Sequence, residues 1–380
     1  MKSLNRLEWT AFAGGMVIAL ALWLVLHHRD AGQQEAQSTL VQVSEIQWDN
    51  ETDKRSTQSN STNADSPNQP TTRNPSNTKP YNASANQPEP IIRVYLSEQR
   101  RIEKVPLETY VRGVVAGEMP ADFEPAALEA QALAARTYMV RRLKLHDTSG
   151  VPVDGADVTD TQVNQVYRSL ADMDNLRKQD GQAYTKIDDA VNNTKGKVIA
   201  YQGEPIQALY FSASNGYTEN SEDVFPGVVP YLRSVISPWD RVGAPRSEET
   251  VQIPLDQFYE KLGIDSLPAG GATNGKPNIV VTEWSTGHRI KSITIAGQTF
   301  TGQELREKLG LRSTSFSWTT NNDEITFTTY GNGHGVGMSQ WGAEGMAREG
   351  RTAEEIVEYY YSGTKLMEVS NLMGLSGKSS

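Results

Sequence analysis

One glutamate stands where a carboxylate is poorly supported. Glu118 lies between Gly117 and Met119-Pro120, at the end of a run in which Leu107, Tyr110, Val111, Val114 and Val115 recur at helical spacing. Pro120 disfavours helix at the residue before it, so that helix must stop near Glu118. The C-terminal end of a helix carries partial negative charge, and apolar neighbours strip a carboxylate of its water. Both effects raise the pKa, which keeps a general acid protonated near neutral pH. The plain alternative is a solvated glutamate at a helix end. Placement argues against it, because chains keep such local conflicts mostly where function asks for them.

Arg136 lies amid alanines on the next helical segment. It can pair with a carboxylate, grip a sugar oxygen or simply cover surface. Direct contact with Glu118 would lower that pKa, so Arg136 is expected to contact substrate or to act in the step where Glu118 is ionised. The stretch Gly331-Asn332-Gly333-His334-Gly335-Val336-Gly337, followed by Met338, Ser339, Gln340 and Trp341, sets one histidine among glycines. Glycine permits close approach of a ligand. His334, Ser339 and Gln340 supply donors and acceptors, and Trp341 a flat surface of the kind sugars stack on. The competing reading is a tight turn with His334 in an internal hydrogen bond. Zinc hydrolysis is poorly supported, since His146, His288 and His334 lack H-E-x-x-H spacing. Phe211-Ser212-Ala213-Ser214-Asn215-Gly216 is not the G-x-S-x-G of a serine hydrolase.

The elements expected to hold these residues begin with a strand, Ile91 to Leu96, and a helix from Pro106 to Glu118. A second, alanine-rich helix runs from Pro125 to about Leu143. Strands are expected at Gly196 to Ala200, Gln207 to Phe211 and Tyr231 to Val235. A possible subdomain covers about 245–315, with a strand from Ile290 to Ile295 and a helix capped by Thr301 and Glu304. The strand Ile325 to Tyr330, the glycine loop and two helices follow, the last capped by Thr352 and Glu355. The fold class is α+β, a mixed sheet flanked by helices around a long surface groove.

Net charge is −10 with a sequence pI near 5.2, so the basic stripe that a phosphate backbone demands is missing and nucleic acid is not an expected partner. With no cysteine there is no disulfide and no thiolate site. Residues 9–26 form an uncharged run close to the ~20 residues that span a bilayer. Trp9 and Trp23 lie towards its ends, and no A-x-A site follows. Residues 1–29 therefore read as a retained single-pass anchor and 30–89 as a polar tether reaching roughly 40–45 Å. Residues 90–380 form the extracytoplasmic head.

Four segments in order, VPLETYVRGVVAGEMP (105–120), ALEAQALAARTYMV (127–140), SASNGYTE (212–219) and HGVGMSQWGA (334–343), resemble the stage II sporulation protein D family. The related amidase-enhancer family shares much of this pattern. The resemblance implies a lytic transglycosylase that cleaves the MurNAc–GlcNAc bond of peptide-free peptidoglycan strands during forespore engulfment, leaving 1,6-anhydro ends. It implies Glu118 as the catalytic residue. Arg136, Ser212, Ser214, Asn215, Gly216, His334, Gly335, Ser339 and Gln340 would line the glycan groove. Implied partners are stage II sporulation protein P, an amidase, and the membrane protein M. Some members bind metal through a histidine and two cysteines; here His146 is present but the other positions read Thr159 and Asn164, so no metal or cofactor is expected. The alternative is a non-catalytic wall-binding protein that stimulates an amidase.

Overall fold

In the computed structural model the described residues are 89–240, 244, 248–264, 272–273, 276–321 and 323–372. The expected anchor and nearly all of the tether lie outside them. Among the described residues no helix is long and apolar enough to cross a membrane.

Ile91–Leu96 (β1) alternates exposed and buried residues, as a half-buried strand must, and pairs antiparallel with Arg101–Pro106 (β2). Pro106 ends β2 and caps Leu107–Glu118 (α1), whose apolar stripe is buried. The chain leaves α1 where Pro120 requires: Met119 is extended, φ −124° and ψ 143°. Pro125–Leu145 (α2) follows, with proline in its first turn. Val158–Thr159 (β3) joins β1 in parallel, giving the order β2-β1-β3. Leu170–Gln179 (α3) and Gly181–Asn193 (α4) precede Lys197–Tyr201 (β4), Glu204–Pro205 (β5) and Tyr210–Phe211 (β6).

A second buried cluster runs from Ile253 to Phe327, separate from the first. Its elements are Glu248–Pro254 (β7), Leu255–Leu262 (α5), Ala272–Thr273 (β8), Lys276–Pro277 (β9), Ile279–Trp284 (β10), Ile290–Ile295 (β11), Gln298–Thr301 (β12), Gly302–Leu309 (α6), Phe316–Thr320 (β13) and Glu324–Tyr330 (β14). They give two antiparallel sheets, β13-β14-β7 and β10-β11-β12, and the small hairpin β8-β9. The chain then returns to the first core. Met338–Ser339 (β15) pairs in parallel with β6, ahead of Gln340–Arg348 (α7), Ala353–Tyr360 (α8), Lys365–Glu368 (β16) and Val369–Leu372 (α9). β16 pairs with β4.

The architecture is mixed α and β, but the expected single mixed sheet is replaced by several small ones. The reason lies in α2, whose buried residues surround most of its circumference. A helix buried on most of its sides belongs inside a core. Accordingly α1, α4, α7, α8 and β4 all pack on α2. Tyr231 to Val235 is no strand either. It is an irregular segment whose Leu232 and Val235 carbonyls accept from the Ser221 and Thr218 amides at 3.0 and 2.9 Å.

Arg136 departs from its expected place in a groove. Its side chain is 0% exposed, and it donates to both Glu108 oxygens on α1, at 2.9 and 2.7 Å. Remaining donors reach the Val191 and Lys197 carbonyls at 3.3 and 3.2 Å. Alanines on α2 leave room for this strut among α1, α2 and the entry to β4. Removing one partner of such a pair leaves a bare buried charge. Arg136→Ala should therefore cost about 3–5 kcal/mol in urea unfolding. A loss under about 1 kcal/mol together with weakened saccharide binding would return Arg136 to the substrate.

Candidate active site

Two glycines on α1 create the site. A Cβ on Gly113 would lie 2.3 Å from the Tyr167 ring, and one on Gly117 2.7 Å from the Val166 carbonyl oxygen. Their absence lets residues 165–168 lie directly on the helix. The Val166 amide then donates to Glu118 Oε1 at 2.8 Å. Gln165 bridges two phenols, accepting from Tyr110 at 3.0 Å and donating to Tyr210 at 3.1 Å. The Tyr210 hydroxyl in turn faces the Glu118 carboxyl. Gln340, first residue of α7, donates from Nε2 to the Glu118 backbone carbonyl at 3.2 Å and to Gln131 at 3.4 Å.

Glu118 is half-buried. Burial pushes its carboxyl above the ordinary glutamate range, against the opposing pull of the Val166 amide, Tyr210 and Gln340. The carboxyl is thus biased towards its acid form, with hydrogen bonds ready for its conjugate base. Tyr210 lies far above the usual phenol range because it is buried and faces Glu118, so it stays a neutral donor.

The glycine–histidine loop acts one step removed. His334 Nδ1 accepts from the Val336 amide at 3.1 Å, and the ring packs against Phe211 and Phe225. Burial and the Arg306 and Arg289 charges depress its pKa to about 3, so it is neutral across physiological pH. His334 is half-buried and spends Nδ1 within its own loop. At Gly337, φ is +81° and a Cβ would lie 2.1 Å from the Leu209 carbonyl oxygen, so only glycine lets β15 run beside that segment.

Other expected groove residues divide. The Ser212 carbonyl accepts from Trp341 at 3.0 Å, and Gly216 accepts from Ser237 at 2.8 Å. Gly335 backs onto the Arg289 guanidinium. The Ser214 and Ser339 hydroxyls are buried and spent on Asp240, so neither is free for a sugar. Trp341 sets its edge against Phe123 at 4.6 Å. Ser214 and Asn215 do line an open groove of about 550 Å³, with Tyr217, Glu248, His288, Ser315 and Tyr330. His288 stands edge-on to Tyr217 at 4.5 Å, held in a left-handed backbone conformation at φ 59°.

Sequence reasoning missed Val166, Gln165, Tyr210 and Asp240. The only signal was the pair of glycines inside α1, which marked a close approach without naming the visitor. At the possible metal position, Thr159 donates to Asn164 Oδ1 from its amide and hydroxyl, at 2.8 and 3.1 Å, while His146 is exposed. Thr159 and Asn164 satisfy each other and do not make a metal donor set.

A glutamate whose folded pKa is raised holds its proton more tightly folded than unfolded. Stability then falls as pH climbs from the ordinary glutamate value through the raised one. Glu118→Gln removes that loss, so thermal melts should show the variant at least as stable as the parent at pH 7, with the two converging in acid. A variant less stable at pH 7 than in acid, relative to the parent, contradicts the burial account. Gly117→Ala forces Val166 away, and calorimetry should read a loss of about 1–3 kcal/mol.

The family model described as Stage II sporulation protein matches residues 95–201, which span α1, α2 and the segment that meets Glu118. Stage II sporulation protein D of Bacillus subtilis (strain 168) is 47% identical over 281 residues, 73% of this chain and 79% of that protein. Its counterpart in Bacillus amyloliquefaciens is 44% identical, covering 74% and 80%. The amidase enhancer of Bacillus subtilis is 29% identical, over 67% of this chain and 40% of its own length. Similarity of this extent makes the chain a member of the stage II sporulation protein D family.

Proposed function

We propose that this sporulation protein is a lytic transglycosylase that cleaves the MurNAc–GlcNAc bond of peptide-free peptidoglycan strands, with Glu118 as its acid and base. The observation that carries the reading is a single half-buried carboxyl biased towards its acid form and provided with donors for its ionised form. Ordinary glycosidases need two carboxylates at a set separation. One suffices when the nucleophile is the sugar's own C6 hydroxyl, which attacks at high effective molarity. Glu118 gives its proton to the glycosidic oxygen as the C1–O bond breaks. The C6 oxygen then bonds to C1 and returns its proton to Glu118. The sum is bond cleavage without water.

Burial favours the resting acid, and the Val166 amide with the Tyr210 hydroxyl stabilises the carboxylate that exists between the two transfers. The groove supports a saccharide substrate by its makeup. Tyr217, His288 and Tyr330 offer ring faces, while Asn215, Ser315 and Glu248 offer hydrogen-bonding groups. On the same reading the head works outside the cytoplasmic membrane on its N-terminal anchor, during forespore engulfment. Amidase P would supply stripped strands, and membrane protein M would share the complex.

Mass spectrometry of products from peptide-free glycan strands tests this. The full chain should release 1,6-anhydroMurNAc ends, and Glu118→Gln should slow their formation roughly 10²–10⁴-fold or more. Reducing ends would make the protein a hydrolase. No cleavage by the parent, together with faster release of stem peptides when an amidase is added, would favour a wall-binding stimulator like the amidase enhancer. Tyr330→Ala should raise KM roughly 2–10-fold with little change in kcat.

A further inference from the structure

Asp240 is 0% exposed, and its carboxylate collects hydrogen bonds from three segments of the chain. Ser214 donates from its amide at 3.0 Å and its hydroxyl at 2.7 Å. Ser237 and Ser339 donate their hydroxyls at 2.6 and 2.5 Å. Ser339 is also the N-cap of α7 and accepts from the Gly342 amide at 3.2 Å. One hydroxyl thus gives its proton to Asp240 and its lone pair to the helix. A cap of this kind fixes the first turn, and a charged acceptor makes the bond behind it a strong one. Gly342 lets α7 settle on the cluster: a Cβ there would lie 2.0 Å from the Tyr360 hydroxyl, 2.5 Å from Ser237 Oγ and 3.0 Å from Asp240 Oδ2.

The next residue along is Gln340, whose amide reaches the Glu118 carbonyl and Gln131. Buried Asp240 therefore connects to the candidate acid in two steps, through the Ser339 cap and through Gln340. We infer that Asp240 is a positioning residue, which locks the first turn of α7 through Ser339 and so holds Gln340 against Glu118. The inference rests on the reading of Glu118 given above. An ionised carboxylate suits the role because every neighbour donates to it. Asparagine would turn an NH2 group towards at least one of those donors. The other ionisable or charged groups facing Asp240 are Tyr360 on α8 and Arg289, and those facing Glu118 are Tyr110 and Tyr210.

The pH profile of kcat/KM on peptide-free glycan separates positioning from bare stability, because it does not depend on the amount of folded protein. Its alkaline limb reports the catalytic acid of the free enzyme. Gln340 favours ionised Glu118. Loosening Gln340 should therefore move the limb to higher pH. Measured on the full chain, Asp240→Asn and Ser339→Ala should both show that move, with kcat down roughly 10–100-fold and KM near the parent. Ser339→Thr, which keeps the hydroxyl cap, should restore the parent profile. If Asp240→Asn does not fold, Ser339→Ala alone carries the test. Lower activity with an unmoved limb in these variants overturns the inference and leaves Asp240 as a structural residue. Glu118→Gln is run alongside. An inactive Glu118→Gln with an unmoved limb sinks only the Asp240 inference, whereas a fully active Glu118→Gln sinks the reading of Glu118 itself.

Discussion

The contact between α1 and residues 165–168 is the constraint on which the site depends. Without side chains at Gly113 and Gly117, a second backbone reaches the helix surface, and the Val166 amide meets Glu118 at 2.8 Å. The same approach sets Gln165 between Tyr110 and Tyr210 and stacks Tyr167 on Tyr110, 5.4 Å between ring centroids. Arg136 and Glu108 lock α1 to α2 from inside, so the helix that ends at Glu118 cannot turn about its axis without baring a buried charge.

Three buried carboxyls show how environment divides labour among one chemical group. All three are pushed up by burial. Asp240 meets only donors from serines, and Glu219 is tied to Ser285 at 2.7 Å, to the Gly287 amide and to Arg289. Both are fully enclosed and hold segments together. Glu118 alone among them is half-buried and sits at a helix C-terminus, where the dipole opposes its charge. A carboxyl with an unfavourable dipole and an open side is suited to passing a proton.

Much of this was legible in the residues. The end of α1, the proline start of α2 and the capping boxes Thr301–Glu304 and Thr352–Glu355 follow from local rules, and the structure contains them. What escaped depends on long-range contact. Arg136 looked available because its neighbours are alanines, yet those alanines are what allow it to be enclosed. Asp240 has one near partner, Ser237, but what gives it a role is contact with Ser214 and Ser339, 26 and 99 positions away. His334 drew notice by standing among glycines, but those glycines serve the backbone path beside Leu209 and Arg289. The single sheet failed as an expectation because α2, buried on most of its circumference, takes the centre of the core.

Glu118 is the proton carrier of this account only if its carboxyl resists ionisation in the folded protein. Selective 13C labelling of glutamate in the full chain, with the Glu118 resonance identified by its loss in Glu118→Gln, permits direct titration. The account requires a midpoint above the ordinary glutamate value of about 4.3, together with a normal midpoint once the chain is unfolded. A folded midpoint at or below that value would mean that the donors outweigh burial, and Glu118 could not serve as the acid.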